Sequence, residues 1–517
     1  MAVFGWKLHG DGKTPAPGAV VAPDERLSWG KTVGLGAQHV VAMFGATFVF
    51  PLIMGLNPQL AIMMSGIATI AFLLIVQGKV PSYLGTSAAF VGGVAAVVTQ
   101  GGTPQQVTGA IFVAGIVLTL AGIFIHFVGA ATLTKILPPV VTGAVVMLIG
   151  FNLAPVVANV YWPQDQWIAV ATMIVTILLA TILPGFWGRV SVLLGLIFGY
   201  VASWLADVVT GPITAYNAGT DQVDTHNRVD LSGVVEAAWV GLPPATDTAA
   251  GIVGWHLPDI ELTFVLLMIP AVVALVAENV GHVKAVAEMT GHDLDPYMGR
   301  AVAADGIGTM IATSVGGSPT TTYAENIGVM ASTRVYSTAA YYVAALVAII
   351  FGLSPKFGAL VSAVPGGVLG GITVVLYGMI GLLGAKIWVE NKLAFSRPIN
   401  LVPIAAGIII AVGDTSLEMG NFSLAGIAFG TLVTILAYHM VALLMPASMK
   451  DDPDTLGTAI FADTPGGQNL ENLGLADDYG LYGHRILGRT PEGHLIVEEQ
   501  TQQTQQTQVA DPDHRDR

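Results

Sequence analysis

The feature that most constrains this chain is the recurrence of long apolar runs, which begin near residue 31 and return until about residue 444. Each has the length that about 30 Å of hydrocarbon asks of a helix, roughly 20 residues. The apolar residues within them are continuous rather than alternating, so the strands of a β-barrel have no comparable claim. Of the 517 residues 53% are hydrophobic and only 10% charged, where soluble domains carry about 25% charged residues. The expected fold class is an all-α polytopic membrane protein with one helical body.

Breaks at Pro, Gly and charged residues divide that body into fourteen transmembrane segments: 31–55, 58–77, 84–100, 107–129, 138–157, 165–183, 189–209, 260–280, 298–316, 320–334, 336–354, 358–384, 399–416 and 424–444. Positive charge checks the count, because Lys and Arg concentrate in cytoplasmic loops. With the N-terminus inside, Lys79, Lys135, Arg189, Lys284, Arg300, Arg334, Lys386, Lys392 and Arg397 fall on the cytoplasmic side, and only Arg228 and Lys356 outside. An even count returns the C-terminus to the cytoplasm. The expected organisation is therefore a cytoplasmic N-terminal segment 1–30, an extracytoplasmic loop 210–259 and a cytoplasmic tail 446–517. That tail is polar, acidic and low in complexity, and is expected to be largely disordered. Residues 1–30 hold no apolar core of signal-peptide length, so the first span is expected to act as its own insertion signal.

Several chemistries are excluded or unsupported. The absence of cysteine removes disulfides, thiolate metal sites and cysteine nucleophiles. There is no GxxxxGK[ST] loop, no HExxH and no GxSxG, and the many GG pairs are explained by close helix packing. The DDPD run at Asp451 is a poor metal cage, and the sequon at Asn421 is equally weak. No metal, cofactor or nucleic acid is expected. The net charge of −14 arises largely from segment 205–261 and the tail and says little about a ligand.

Fourteen spans divide as seven and seven, and short correspondences link the halves. Pro138, Val141 and Gly143 match Pro365, Val368 and Gly370; AQHVVA from Ala37 lies against AENVGH from Ala277; SYLGTSAAF from Ser82 resembles TYAENIGVM from Thr322. Together they suggest a 7+7 inverted repeat of the type many secondary transporters use. Segments 3 and 10 are expected to be broken. Thr320 to Arg334 is only fifteen residues and follows the Gly, Pro and Thr cluster GGSPTTT, which favours extended backbone ahead of a half-helix. Irregular backbone at membrane depth is tolerated only where protein buries it or it lines a cavity. The free N–H groups of a half-helix would then point at that cavity.

Polar residues in the spans are the candidates to line it. Glu325 begins the half-helix and either caps it or meets a ligand; at membrane depth the ligand role is preferred. Glu278 and His282 share a helix face at a spacing of four, which suits joint custody of a proton or a static pair. Asp305 either bonds broken backbone or serves the ligand. Gln38 and His39 are packing groups or supporting residues beside Glu278 in the repeat. Tyr323 and Tyr377 are either structural or stack on a planar ligand.

AENIGVMASTR, with Glu325-Asn326-Ile327-Gly328 followed by Thr333-Arg334, resembles the signature of the nucleobase-ascorbate transporter family. The resemblance continues through GAQHVVAMFGATFVFP, VPSYLGTSAAFVGG, AENVGHVKAVAEMTG and DPYMGRA, and is strongest to bacterial uracil permeases of the pyrimidine-utilisation type. It implies a core domain (31–129 and 260–354) and a gate domain (138–209 and 358–444). It also implies a proton-coupled symporter in the bacterial inner membrane, often a homodimer through the gate domain. The substrate carboxylates would be Glu278 and Glu325, the coupling histidine His282, and the backbone donors Ala88 and Ala324. Asn326 would support them, with Tyr323 and Tyr377 near the base. The acid at position 325 looks like the uracil branch, whereas similar purine transporters tend to have Gln there. Ala88 replaces a Phe of some uracil permeases and implies a roomier pocket.

The expectation is thus uracil import driven by protons through alternating access in contact with membrane lipid. The alternatives are a symporter of xanthine or another purine, an anion transporter of similar fold, a channel, and a membrane-embedded enzyme using the same carboxylates.

Overall fold

The structure is a computed structural model that describes residues 5–13, 15, 19–129, 135, 137–217, 222–247, 252–413, 415–419, 422–445, 486–489 and 495–497. Contacts divide the chain into two units. The first, Met1–Leu393 with Val402–Leu443, holds nearly all the helices. The second, Ala394–Leu401 with Leu444–Arg517, contains an antiparallel pair of strands, Ile486–Arg489 with Leu495–Val497. The rest of the expected tail (446–485, 490–494 and 498–517) and Asn421 lie outside the described residues.

In the first half the helices are α1 (Trp29–Ile53), α2 (Pro58–Ile75), α3 (Val91–Thr99), α4 (Pro104–Val128), α5 (Pro139–Asn152), α6 (Gln166–Ile182) and α7 (Ser191–Thr210). In the second they are α8 (Leu262–Thr290), α9 (Asp295–Thr313), α10 (Ala324–Thr333), α11 (Thr338–Gly352), α12 (Pro355–Ser362), α13 (Gly366–Glu390), α14 (Pro398–Val412) and α15 (Gly426–Leu444). Among the described residues, eight helices are long and apolar enough to cross a membrane, α5 counting with its irregular helical continuation to Gln164, and the total is nine if α11 and α12, bent by 82°, make one span. The chain is a multi-pass membrane protein.

Every predicted span contains a helix, but boundaries move: α9 starts at Asp295, α13 runs to Glu390, and the helix that opens with α5 continues to Gln164. α8 runs to Thr290 instead of 280, because the residues after Val280 form helix well until Gly291 takes the left-handed conformation that ends it (φ 65). Span 358–384 is two helices. Pro365, whose ring disfavours helical backbone at Val364, sits at φ −63 and ψ 144 and starts α13 anew at Gly366. Pro138 does the same for α5, at φ −63 and ψ 155.

Segments 84–99 and 320–333 are each a short strand followed by a short helix. Strand β1 (Leu84–Thr86) pairs antiparallel with β2 (Thr320–Thr322) in the register Leu84↔Thr322, Gly85↔Thr321, Thr86↔Thr320. Both are fully buried, so this pairing satisfies backbone groups that no water reaches. Two further bonds extend it, Tyr323 N–H to Tyr83 O (3.1 Å) and Ser87 N–H to Pro319 O (2.9 Å).

Around this centre the helices meet through small residues. On α4 and α9, a Cβ at Gly122 would lie 2.2 Å from Ala303 N, and one at Gly299 2.3 Å from His126 N. On α5 and α13, one at Gly150 would lie 2.2 Å from Gly381 N. Backbone thus approaches backbone, as membrane helices favour.

Two non-membrane segments are tied down. Arg228 Nε donates to Asp165 Oδ2 (2.7 Å) and Nη1 to Asp207 Oδ1 (3.0 Å), fixing the loop after α7 to both α6 and α7. Farther along it, Lys356 Nζ on α12 donates to Val234 O (2.6 Å), and His256 Nε2 pairs with Thr108 Oγ1 on α4 (3.0 Å). At the other end, Val21 bridges to Val335 beyond α10, where Val21, Leu27 and Val335 form a buried cluster. Trp6 Nε1 donates to Thr338 Oγ1 at the start of α11 (2.8 Å).

Candidate functional site

Because β1 and β2 run antiparallel, the short helices that follow them begin at opposite ends of the pair and lead away in opposite directions. Ser87 begins the turn at Ala88, its Oγ accepting from Ala89 N–H (3.3 Å). Tyr323 precedes Ala324 with no side-chain cap. Helical bonding in α10 begins with Ile327 N–H donating to Tyr323 O (3.2 Å), so the three N–H groups before it have no partner inside the helix. Glu325 stands in that first turn, where the helix dipole favours negative charge. Ala324 and Glu325 are exposed and Ala88 half-buried, although β1 and β2 beside them are buried. That combination describes an accessible recess floored by backbone.

α8 supplies the opposite wall. Glu278 is half-buried and lies within electrostatic range of both Glu325 and Asp305. A Cβ at Gly281, one turn on, would meet nothing within 4 Å. Glu278, Gly281, Lys284 and Glu288 form an accessible stripe on α8, and Glu325, Gly328 and Ser332 form one on α10. Both lead toward the C-terminal ends of their helices.

The structure gathers five expected residues, Glu278, His282, Asp305, Tyr323 and Glu325, through α8, α9, β2 and α10. His282 Nδ1 pairs with Thr322 Oγ1 at 2.7 Å, and fully buried Asp305 accepts from Asn279 Nδ2 at 2.6 Å. Tyr323 donates to Thr86 O at 2.7 Å and accepts from Thr47 Oγ1 at 3.3 Å. Asn326 and His39 face away from the recess and bind each other, with Asn326 Nδ2 3.0 Å from His39 O and 3.2 Å from His39 Nδ1. His39 also packs on Tyr341, ring centroids 4.4 Å apart. Gln38 is half-buried on α1. Tyr377 is buried on α13, within electrostatic range of Tyr161, its hydroxyl without a partner among the described residues and outside the carboxylate network. Asn279 and Thr322 were not expected. Asn279 adjoins Glu278 but falls on another helix face, and Thr322 is one of three consecutive threonines whose register only the strand pairing distinguishes.

A cluster of carboxylates and an imidazole beside the N–H groups of a helix start, one of which the Glu325 carboxylate itself accepts from, can hold a small planar molecule that both donates and accepts hydrogen bonds. Relatives agree in kind. A family model described as a permease family matches residues 30–420. RutG of Escherichia coli (strain K12), whose name describes a pyrimidine permease, is 44% identical over 446 residues, 84% of this chain and 95% of RutG. A uracil permease of Bacillus subtilis (strain 168) is 33% identical over 449 residues, 83% of this chain and 95% of the relative. Among solved structures, the murine anion transporter Slc26a9 in its inward-facing state matches with TM-score 0.58 at 11% identity, covering 82% of this chain and 70% of that one; this likeness concerns the fold alone. These relatives are permeases rather than enzymes, and the chain belongs to the nucleobase-ascorbate transporter family.

Proposed function

We propose that this nucleobase permease is a proton-coupled symporter that imports uracil across the bacterial inner membrane by alternating access. The observation that carries the reading is the pair of acids, Glu278 and Glu325, flanking the recess at the start of α10. Uracil offers two N–H donors and two carbonyl acceptors. The carboxylates suit its N–H groups, and the N–H groups at Ala88 and Ala324 suit its carbonyls. Tyr377 and Tyr323 frame the base, and Gln38, His39, Asn326 and Asp305 support the site. The small side chain at Ala88 leaves room there. The names of the relatives, a pyrimidine and a uracil permease, support the substrate class.

The base is neutral, so a proton supplies the driving force. It binds at the Glu278 and His282 pair or at Glu325, favours uracil, and leaves at the higher internal pH. The fourteen spans, the inverted repeat and both termini in the cytoplasm belong to this reading. The glycine interface of α2 with α11 (Gly66, Gly352) and that of α4 with α9 (Gly122, Gly299) are what repeat-related spans would make. The domain carrying α1–α4 and α8–α11 moves against the gate carrying α5–α7 and α13–α15, and two gates pair in a homodimer. With Lys284 and Arg334 cytoplasmic, the accessible stripes on α8 and α10 run toward the cytoplasm.

Equilibrium binding of radiolabelled uracil to the purified protein tests the site. Saturable binding, competed by uracil but not by xanthine, is expected. Glu325→Gln is expected to weaken it by about 2 kcal/mol, roughly thirty-fold in Kd, the worth of one hydrogen bond to a charged group. Equal competition by xanthine, or binding unchanged in the variant, would overturn the assignment.

A further inference from the structure

His282 ends a chain of polar side chains that leads away from the recess. Its Nδ1 is 2.7 Å from Thr322 Oγ1, which is 3.2 Å from Asn279 Oδ1; Asn279 Nδ2 in turn is 2.6 Å from Asp305 Oδ2. Asn279 and Asp305 are 0% exposed and Thr322 2%, so bulk water offers these groups no substitute partner.

The direction of the chain follows from one further contact. Asn279 Nδ2 also donates to Leu275 O, 3.0 Å away, and a backbone carbonyl can only accept. Turning the amide over would set its oxygen against that carbonyl. Nδ2 therefore faces Leu275 and Asp305, and Oδ1 faces Thr322. An amide oxygen only accepts, so the single hydroxyl proton of Thr322 goes to Asn279. Thr322 Oγ1 then has only lone pairs for His282, and the ring must supply the proton from Nδ1.

We propose that Thr322, Asn279 and Asp305 are positioning residues that hold His282 as its Nδ1–H tautomer, leaving Nε2 as the one ring atom able to take a proton or accept a hydrogen bond. The proposal deepens the coupling role given to His282 and rests on it for its functional consequence. When Nε2 takes the coupled proton, both nitrogens become donors while the Nδ1–H bond to Thr322 persists. The ring can thus gain and lose its proton without rearranging the buried chain. The charged groups around it are Glu278 one turn earlier on α8, Lys284 two residues later, Glu325 at the start of α10 and Asp305 behind the chain from α9.

Ring ¹⁵N spectra of the full-length protein, labelled at histidine and assigned by comparison with His282→Gln, read the tautomer directly. The wild type and Thr322→Ser, which keeps the hydroxyl, are expected to carry the proton on Nδ1. Thr322→Val, of the same shape without the hydroxyl, is expected to lose that preference. Uptake by Thr322→Val should fall about tenfold, the scale of one lost hydrogen bond, with an altered pH profile that Thr322→Ser restores. A wild-type ring with its proton on Nε2, or a Thr322→Val spectrum identical to wild type, would overturn the proposal. The spectra do not depend on the substrate, so failure of the uracil assignment would be seen separately, as absence of uptake by the wild type.

Discussion

Gly85 shows how one side chain's absence builds the site. A Cβ there would lie 2.4 Å from Cζ of Tyr323 and 2.7 Å from Thr47 Oγ1, so only glycine lets that ring lie on β1. From this position the Tyr323 hydroxyl reaches Thr86 O and locks the start of α10 to the opposite strand. Gly85→Ala is expected to displace Tyr323 and destabilise the protein by about 2 kcal/mol, the usual scale of overpacking, seen as a lower midpoint of thermal unfolding. An unchanged midpoint would show that the ring relaxes freely. That Glu278 and His282 share a face of α8 was legible in the sequence, because a spacing of four defines a helix face. The bonding of Tyr323 was not, because its partner Thr86 lies 237 residues away and is reached only through strand pairing.

Elements obey the same economy of space. α4 and α9 touch backbone to backbone at Gly122 and Gly299, so Gly122→Val must separate the two helices and should lower stability by roughly 3 kcal/mol, the upper range for an overpacked contact. Thermal unfolding in detergent checks it, with Gly281→Ala, whose Cβ meets open space, as the neutral comparison. The N-terminal segment is held partly by charge. Glu25 Oε2 lies 2.7 Å from His9 Nδ1 and accepts from Ala22 N–H at 3.1 Å. Burial pushes this carboxyl up, but the Ala22 bond and His9 outweigh it and hold it below its ordinary value. A depressed carboxyl stabilises the fold above its ordinary pKa, and that contribution is lost as pH falls through the lowered value. Acidification across that window should therefore loosen the segment, read by Trp6 fluorescence, whereas Glu25→Gln should be loose already at neutral pH. Extended backbone ahead of a short helix at 320–333 was legible in GGSPTTT, but the ties of residues 1–30 to the body were not, because a two-residue pairing and a single bridge leave no periodic trace.

For the whole molecule, the recurring apolar runs made a multi-pass helical body legible before any coordinates. The long segment between α7 and α8 is read from the sequence as an acidic extracytoplasmic loop. In the structure it binds α6 and α7 through Arg228, α12 through Lys356 and α4 through His256. Such long-range anchoring depends on isolated side chains and has no local sequence pattern. The central claim is that a proton gradient drives uracil through the recess between Glu278 and Glu325. Its most direct test is uptake of radiolabelled uracil into liposomes containing the purified protein, with and without an inward proton gradient, for the wild type and Glu325→Gln. Accumulation above equilibrium is expected only with the gradient, and is expected to be lost in the variant. Equal uptake without the gradient, or none under any gradient, would contradict it.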